Sequence, residues 1–157
     1  MPTWLVKTIG NRYLALALRL YIGAIFFYAS MYKINFPGEF AEMIANYQLV
    51  PFWAVNLLAV ILPWTELLCG FFLIIGVRTK SAAAVAAGML LVFTVAAASA
   101  LLRGIPMGCG CFSALEDPMT WGTVARDLAW LAMALHVYWV DSAWQVGKAF
   151  VPSYREL

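Results

Sequence analysis

The sequence predicts an all-α integral membrane protein: a four-helix bundle with both termini cytoplasmic and a short interfacial helix in the first outer loop. Three observations carry that prediction. The chain has 157 residues, of which 64% are hydrophobic and 11% charged, whereas soluble domains run at about 45–50% apolar and about 25% charged. Four stretches reach the ~20 apolar residues that a helix needs to cross ~30 Å of hydrocarbon. Lysine and arginine also gather in alternate connections, as the positive-inside rule requires of a multi-pass protein. A soluble domain of this length needs a polar shell that these residues do not supply, which excludes an ordinary cytosolic enzyme and a disordered tail. The net charge of +2, with no basic run, implies no nucleic-acid partner. Three cysteines are too few for a secreted disulfide scaffold. The expected surrounding is membrane lipid, and the whole chain reads as a single membrane domain.

The first span runs from Tyr13 to Tyr32 (YLALALRLYIGAIFFYASMY), with Arg19 as its charge. Lys7 and Arg12 precede it as they would a signal peptide, but the apolar stretch is too long for one and no soluble mature domain follows, so it is expected to be retained. The second span, Phe52 to Val77, is interrupted by Pro63 and Glu66. The third, Ser81 to Leu102, is uncharged and rich in alanine, and the fourth, Trp121 to Val140, carries Arg126 and Asp127 near its start.

Lys7, Arg12, Arg78, Lys80, Lys148 and Arg155 fall on one side of these spans, and Lys33 and Arg103 on the other. The first set marks the cytoplasmic face. In a bacterial-type inner membrane the connections 33–51 and 103–120 then face the periplasm, where thiols can be oxidised. Within the first of them, Phe40, Met43, Ile44 and Tyr47 fall on one helical face, opposite Glu39, Glu42 and Asn46. That pattern fits a helix lying in the membrane interface, and it fits equally a cap packed over the bundle. Trp53 and Trp121 are placed at the outer headgroup level, and Trp139 and Trp144 at the inner one.

The segment richest in chemistry is RGIPMGCGCF, Arg103 to Phe112, which sets Cys109 and Cys111 in a glycine-rich turn on the oxidising side. A disulfide between residues two apart closes a tight ring, and strain makes such a bond easier to reduce, which suits exchange better than stapling. Two unpaired thiols and a static local bridge remain alternatives. So does Cu(I) on the soft ligands Met107, Cys109, Cys111 and Met119; zinc lacks a second cysteine pair or a nearby histidine. Cys69 lies about 17 residues into the second span from its outer end, roughly 25 Å down at 1.5 Å per residue, too deep to meet the outer pair. It is expected to pack.

Arg19 and Glu66 are the deepest charges. Their depths differ by roughly 8 Å when counted from the cytoplasmic ends of their spans, so they are expected to pair inside the bundle, as a structural element or a proton path. Asp127 suits the first turn of the fourth helix as a cap. Arg126 and Lys33 would place positive potential beside a cysteine thiolate or a quinone oxygen. His136 is too near the cytoplasmic end to serve the cysteines and is expected to pack.

The stretch LRLYIGAIFFYASMYKI, the glutamate of WTELLCGFFLIIGV, and CGCF ahead of WGTVARDL together resemble the DoxX/MauE family of redox-associated four-helix membrane proteins, on the methylamine-utilisation branch. The likeness covers roughly residues 13 to 140. It implies periplasmic thiol–disulfide traffic with a thioredoxin-like partner during maturation of a disulfide-rich dehydrogenase subunit, and an association with sulfur compounds and quinone. It assigns the redox role to Cys109 and Cys111, and lesser roles to Glu66, Arg126 and Asp127. Ser113 stands where a glycine is usual, and no thioredoxin-like or rhodanese domain is fused within these residues, so the partner is expected as a separate chain.

The leading expectation is therefore a membrane thiol–disulfide redox protein. A partner's thiolate attacks the Cys109–Cys111 disulfide, and the electrons pass to a quinone near Tyr32, Lys33, Phe36, Phe112, Trp121 and Arg126; flow in the opposite direction fits as well. A non-enzymatic subunit of a larger respiratory or sulfur-handling membrane complex is an alternative, on the strength of the alanine-rich third span. Copper or persulfide handling is another.

Overall fold

The computed structural model describes residues 11–105 and 119–140, and these form five α-helices. Helix α1 spans Arg12–Asn35 and opens on Asn11, whose side chain accepts a bond from the Tyr13 amide at 3.0 Å. It stops at Phe36 because the next residue is Pro37, which disfavours helical backbone in the residue before it. Pro37 then occupies the first turn of α2, Pro37–Asn46. The two helices thus adjoin at a single residue. Helix α3, Phe52–Ile75, runs through the buried Pro63 and ends at Gly76, whose φ of 84° places it in the left-handed region. A turn of three residues leads to α4, Thr79–Leu102, and α5 is Trp121–Val140.

Helices α1, α3 and α4 are long and apolar enough to cross a membrane. Along α3 the side chains of Leu57, Val60, Ile61, Trp64, Leu68 and Phe71 are exposed, a surface that suits lipid and not water. These helices make the chain a multi-pass membrane protein. The stretch expected as the fourth span is helical over Trp121–Val140, but Arg126, Asp127 and His136 make α5 more polar than the three apolar helices.

Helix α1 packs chiefly on α3 and α4 chiefly on α5, and the two pairs meet along α1–α5 and α3–α4. The α1–α3 contact is close because both helices present glycine. A methyl group added at Gly70 would lie 2.8 Å from both the Gly23 carbonyl oxygen and the Phe27 amide nitrogen, and one at Gly23 would lie 3.1 Å from the Gly70 carbonyl oxygen. Most alanines of α4 pack within the chain: Ala82, Ala83, Ala86, Ala87, Ala96, Ala97 and Ala100 are buried, while Ala84 is exposed.

The buried residues form two apolar clusters, one above the other. One gathers Ile22, Phe26, Cys69, Leu73, Leu90, Ala134 and Val137, with the alanines of the first half of α4. The other gathers Phe40, Met43, Ile44 and Tyr47 with Val55, Ala59, Met119 and Val124. Helix α2 is therefore a cap. Its apolar face, which the sequence allows to enter lipid as an interfacial helix, is turned into the protein. Arg103 holds the cap down, with Nη2 donating to the Tyr47 carbonyl at 2.5 Å. The end of the bundle that α2 covers is also where α4 finishes and where Met119 leads into α5.

Candidate functional site

Between the two apolar clusters lies a layer of charge. On α3, Glu66 falls between Ala59 of the capped cluster and Cys69 of the other; on α5, Asp127 falls between Val124 and Ala134; on α4, Thr94 falls between Ala96 and Leu90. Lys33 reaches this layer from the last turn of α1. Its Nζ donates to Glu66 Oε1 at 2.6 Å and to Oε2 at 2.8 Å, and both side chains are only 6% exposed.

Two aromatic rings wall the ammonium in: Phe40 from α2 and Phe93 from α4, each with its centroid 4.9 Å from Nζ. Ring faces are electron-rich and attract a desolvated cation. The Lys33 charge also acts on Asp127, which is 4% exposed. Asp127 Oδ1 accepts from Arg126 Nε at 3.3 Å and Nη2 at 3.2 Å. Arg126 in turn lies over the Trp130 ring at 4.6 Å, and its side chain is 36% exposed.

The layer thus holds two cations and two carboxylates, and its charges sum to zero. That balance is what lets it persist, because taking one charge out of water costs several kcal/mol. The neighbouring hydroxyls contribute nothing to it. Ser30 Oγ donates to the Phe27 carbonyl at 2.7 Å and Thr94 Oγ1 to the Leu90 carbonyl at 2.6 Å, so both protons stay within their own helices.

The sequence predicts an Arg19–Glu66 pair, but Glu66 is bound by Lys33 instead. The reason is register. Gly23 packs on Gly70, Leu73 and Ile74, and Gly70 packs on Gly23, Phe26 and Phe27. Glu66 is therefore level with the region of Ala29, about four residues (roughly 6 Å) from Lys33 and about ten residues (roughly 15 Å) from Arg19. A lysine side chain covers the shorter distance. Arg19 is buried, 2% exposed, in the half of the bundle away from α2. His136 lies toward that same end of α5.

Lys33 appears in the sequence as a loop residue, but α1 continues to Asn35 and carries it inside. Phe26, Ala29, Ser30 and Lys33 share one face at helical spacing and are all buried. That period was the signal for Lys33. Phe93 had no such signal, since its role depends on the approach of α1.

Cys109, Cys111, Phe112 and Met107 lie outside the described residues, as do Lys7, Lys148, Arg155 and Trp144. Of the other expected quinone contacts, Lys33 and Arg126 join the charge layer, while Trp121 is 59% exposed at the first position of α5. Tyr32 donates to Glu39 Oε2 at 2.8 Å and lies against Phe36, ring centroids 5.0 Å apart, at the corner between α1 and α2. Cys69 is buried in the apolar cluster with Ile22, Phe26 and Leu73. Met119 is buried beside the cap. No group of three or more His, Cys, Asp or Glu side chains that could hold a metal occurs among the described residues.

The layer offers donors in Lys33 and Arg126, proton acceptors in Glu66 and Asp127, and aromatic walls in Phe40, Phe93 and Trp130.

Residues 11–140 match the family model described as methylamine utilisation protein MauE. Among curated proteins, the chain is similar to the methylamine utilization protein MauE of Paracoccus denitrificans, 34% identical over 123 residues, which are 77% of this chain and 66% of that protein. It is similar also to the MauE proteins of Paracoccus versutus, 36% identical over 76% of this chain and 65% of the relative, and of Methylophilus methylotrophus, 32% identical over 78% and 66%. The matches span just under two thirds of these relatives' own length. No solved structure matches the chain.

Proposed function

Because the chain belongs to the MauE family, we propose that it is a thiol–disulfide redox protein of a methylamine-utilisation system, working in a bacterial-type inner membrane. Its Cys-Gly-Cys pair faces the periplasm and exchanges electrons with a thioredoxin-like or disulfide-rich partner, and a membrane quinone takes them onward. The observation that carries this reading is the buried charge layer beneath the end where α4 finishes and α5 begins, because the cysteine pair lies in the sequence joining those two helices.

In the partner-oxidising direction, a thiolate of the partner attacks one sulfur of the Cys109–Cys111 disulfide. The attacked bond breaks, a mixed disulfide forms, and the other cysteine leaves as a thiolate. A second partner thiolate then attacks the mixed disulfide. The partner leaves oxidised by two electrons, and Cys109 and Cys111 are left as a dithiol. A quinone, when bound, supplies a two-electron acceptor soluble in the membrane. The residues of this chain contribute donors, proton acceptors and an apolar enclosure around it.

Replacing either Cys109 or Cys111 by serine removes the disulfide that the partner attacks and is expected to leave the partner reduced, while the remaining thiol, offered an oxidised partner, is expected to hold it as an unresolved mixed disulfide, visible as a mass shift on a non-reducing gel. Normal oxidation of the partner in both single variants contradicts the reading.

A further inference from the structure

The Lys33–Glu66 pair costs more than a structural role requires. A buried ion pair can often be replaced by packed apolar residues with no loss of stability, and one kept for structure is normally saturated by further hydrogen bonds. Here, among the described residues, Glu66 takes both its bonds from the one ammonium. Breaking that single contact frees the carboxylate. A second carboxylate, Asp127, already stands within reach of the Lys33 charge. Within the layer the side chains of Glu66, Lys33 and Asp127 are 5–6% exposed, and that of Arg126, bonded to Asp127, is 36% exposed. The Arg126 contact joins Asp127 to the surface of the bundle.

The surroundings narrow the choice of group. Lys33 of α1 binds Glu66, and Asp127 of α5, bonded to Arg126, feels the Lys33 charge. Around the Lys33 ammonium, α4 presents Phe93 and α2 presents Phe40, and Glu39 of α2 is engaged with Tyr32. On α3 itself the nearest titratable side chain is Cys69, one turn away. Only a carboxylate in this set can gain a proton and become neutral.

We propose that Glu66 holds a proton in transit while electrons pass between the Cys109–Cys111 dithiol and the quinone, and that Lys33 turns from Glu66 to Asp127 as it does so. This rests on the redox reading above. Two electrons and two protons leave the dithiol as its S–S bond forms, and all four are taken up as quinol. Glu66 carries one of the protons between those events and ends as a carboxylate again. When it is neutral, its contact with Lys33 Nζ breaks and a contact from Nζ to Asp127 forms. Arg126, 36% exposed, then balances the layer from its exposed side.

The test uses the full chain in lipid vesicles, with a short-chain ubiquinone analogue as oxidant. Thiol tagging reads the cysteine pair, and infrared difference spectroscopy reads the carboxyl groups. The expected result is a protonated-carboxyl band that accompanies turnover, disappears in Glu66→Gln and persists in Glu42→Gln, which alters an exposed residue of α2. Quinone-driven oxidation of the pair slows at least tenfold in Glu66→Gln. It slows equally in Lys33→Met/Glu66→Leu, an apolar exchange that retains the fold, while reaction of the pair with a soluble dithiol changes less than twofold. A pair that cycles in the wild type without the band, or that is oxidised by quinone at the wild-type rate in the apolar variant, overturns the relay and leaves the redox reading standing. A wild-type pair that never changes state overturns both.

Discussion

At the scale of single residues, the structure turns on Lys33. It is 5% exposed, bound to both oxygens of Glu66 and held between two aromatic rings. Truncating either member of the Lys33–Glu66 pair, as in Lys33→Met or Glu66→Leu, is expected to destabilise the protein by about 3–5 kcal/mol, since it strands a buried charge. The double variant is expected to recover most of that loss. Unfolding in detergent, arranged as a double-mutant cycle, checks both figures; two single effects that simply add would show that the pair is not coupled. Much of this residue scale was legible in the sequence. Glu66, Arg126 and Asp127 stand out as charges inside apolar runs. The partner of Glu66 was not legible, because it depends on how far α1 slides along α3, and no residue of either helix taken alone records that.

At the scale of elements, the slide is set by the Gly23–Gly70 contact. A methyl group at Gly70 meets backbone atoms at 2.8 Å, which cannot yield without parting the helices, whereas one at Gly88 meets nothing within 4 Å. Gly70→Ala is therefore expected to destabilise the bundle by about 1–3 kcal/mol through overpacking, and Gly88→Ala to leave stability within about 0.5 kcal/mol. Thermal melts of the two variants side by side decide this. The cap offers a second prediction. Arg103→Gln removes the guanidinium that binds the Tyr47 carbonyl, so amide exchange in Pro37–Asn46 is expected to accelerate while α3 keeps its protection. The helix bounds themselves were readable from length and apolar period. The destination of α2's apolar face was not, since an amphipathic helix satisfies the same pattern on lipid and on protein.

At the scale of the whole molecule, three long apolar helices and a more polar fourth enclose one neutral charge layer, roofed by α2. The proposed orientation puts that roof on the periplasmic side. A membrane-impermeant maleimide applied to intact cells after mild reduction is then expected to label Cys109 and Cys111, and to reach Cys69, which is buried among apolar side chains, only after denaturation. Labelling of the pair only from the cytoplasmic side would invert the topology. The overall architecture was the most legible feature, because composition and spacing alone demand a membrane bundle. The chemistry was legible only as residue types, since geometry decides which charges meet.

The redox state of the Cys109–Cys111 pair in intact membranes tests the central claim most directly. Cells are quenched in acid, free thiols are tagged with a mass-shifting maleimide, and the assay is repeated after adding a quinone analogue or a reduced thioredoxin-like protein. The account predicts a pair that moves between no tags and two, toward none with the quinone and toward two with the reduced protein. A pair that carries the same number of tags under every condition would contradict it.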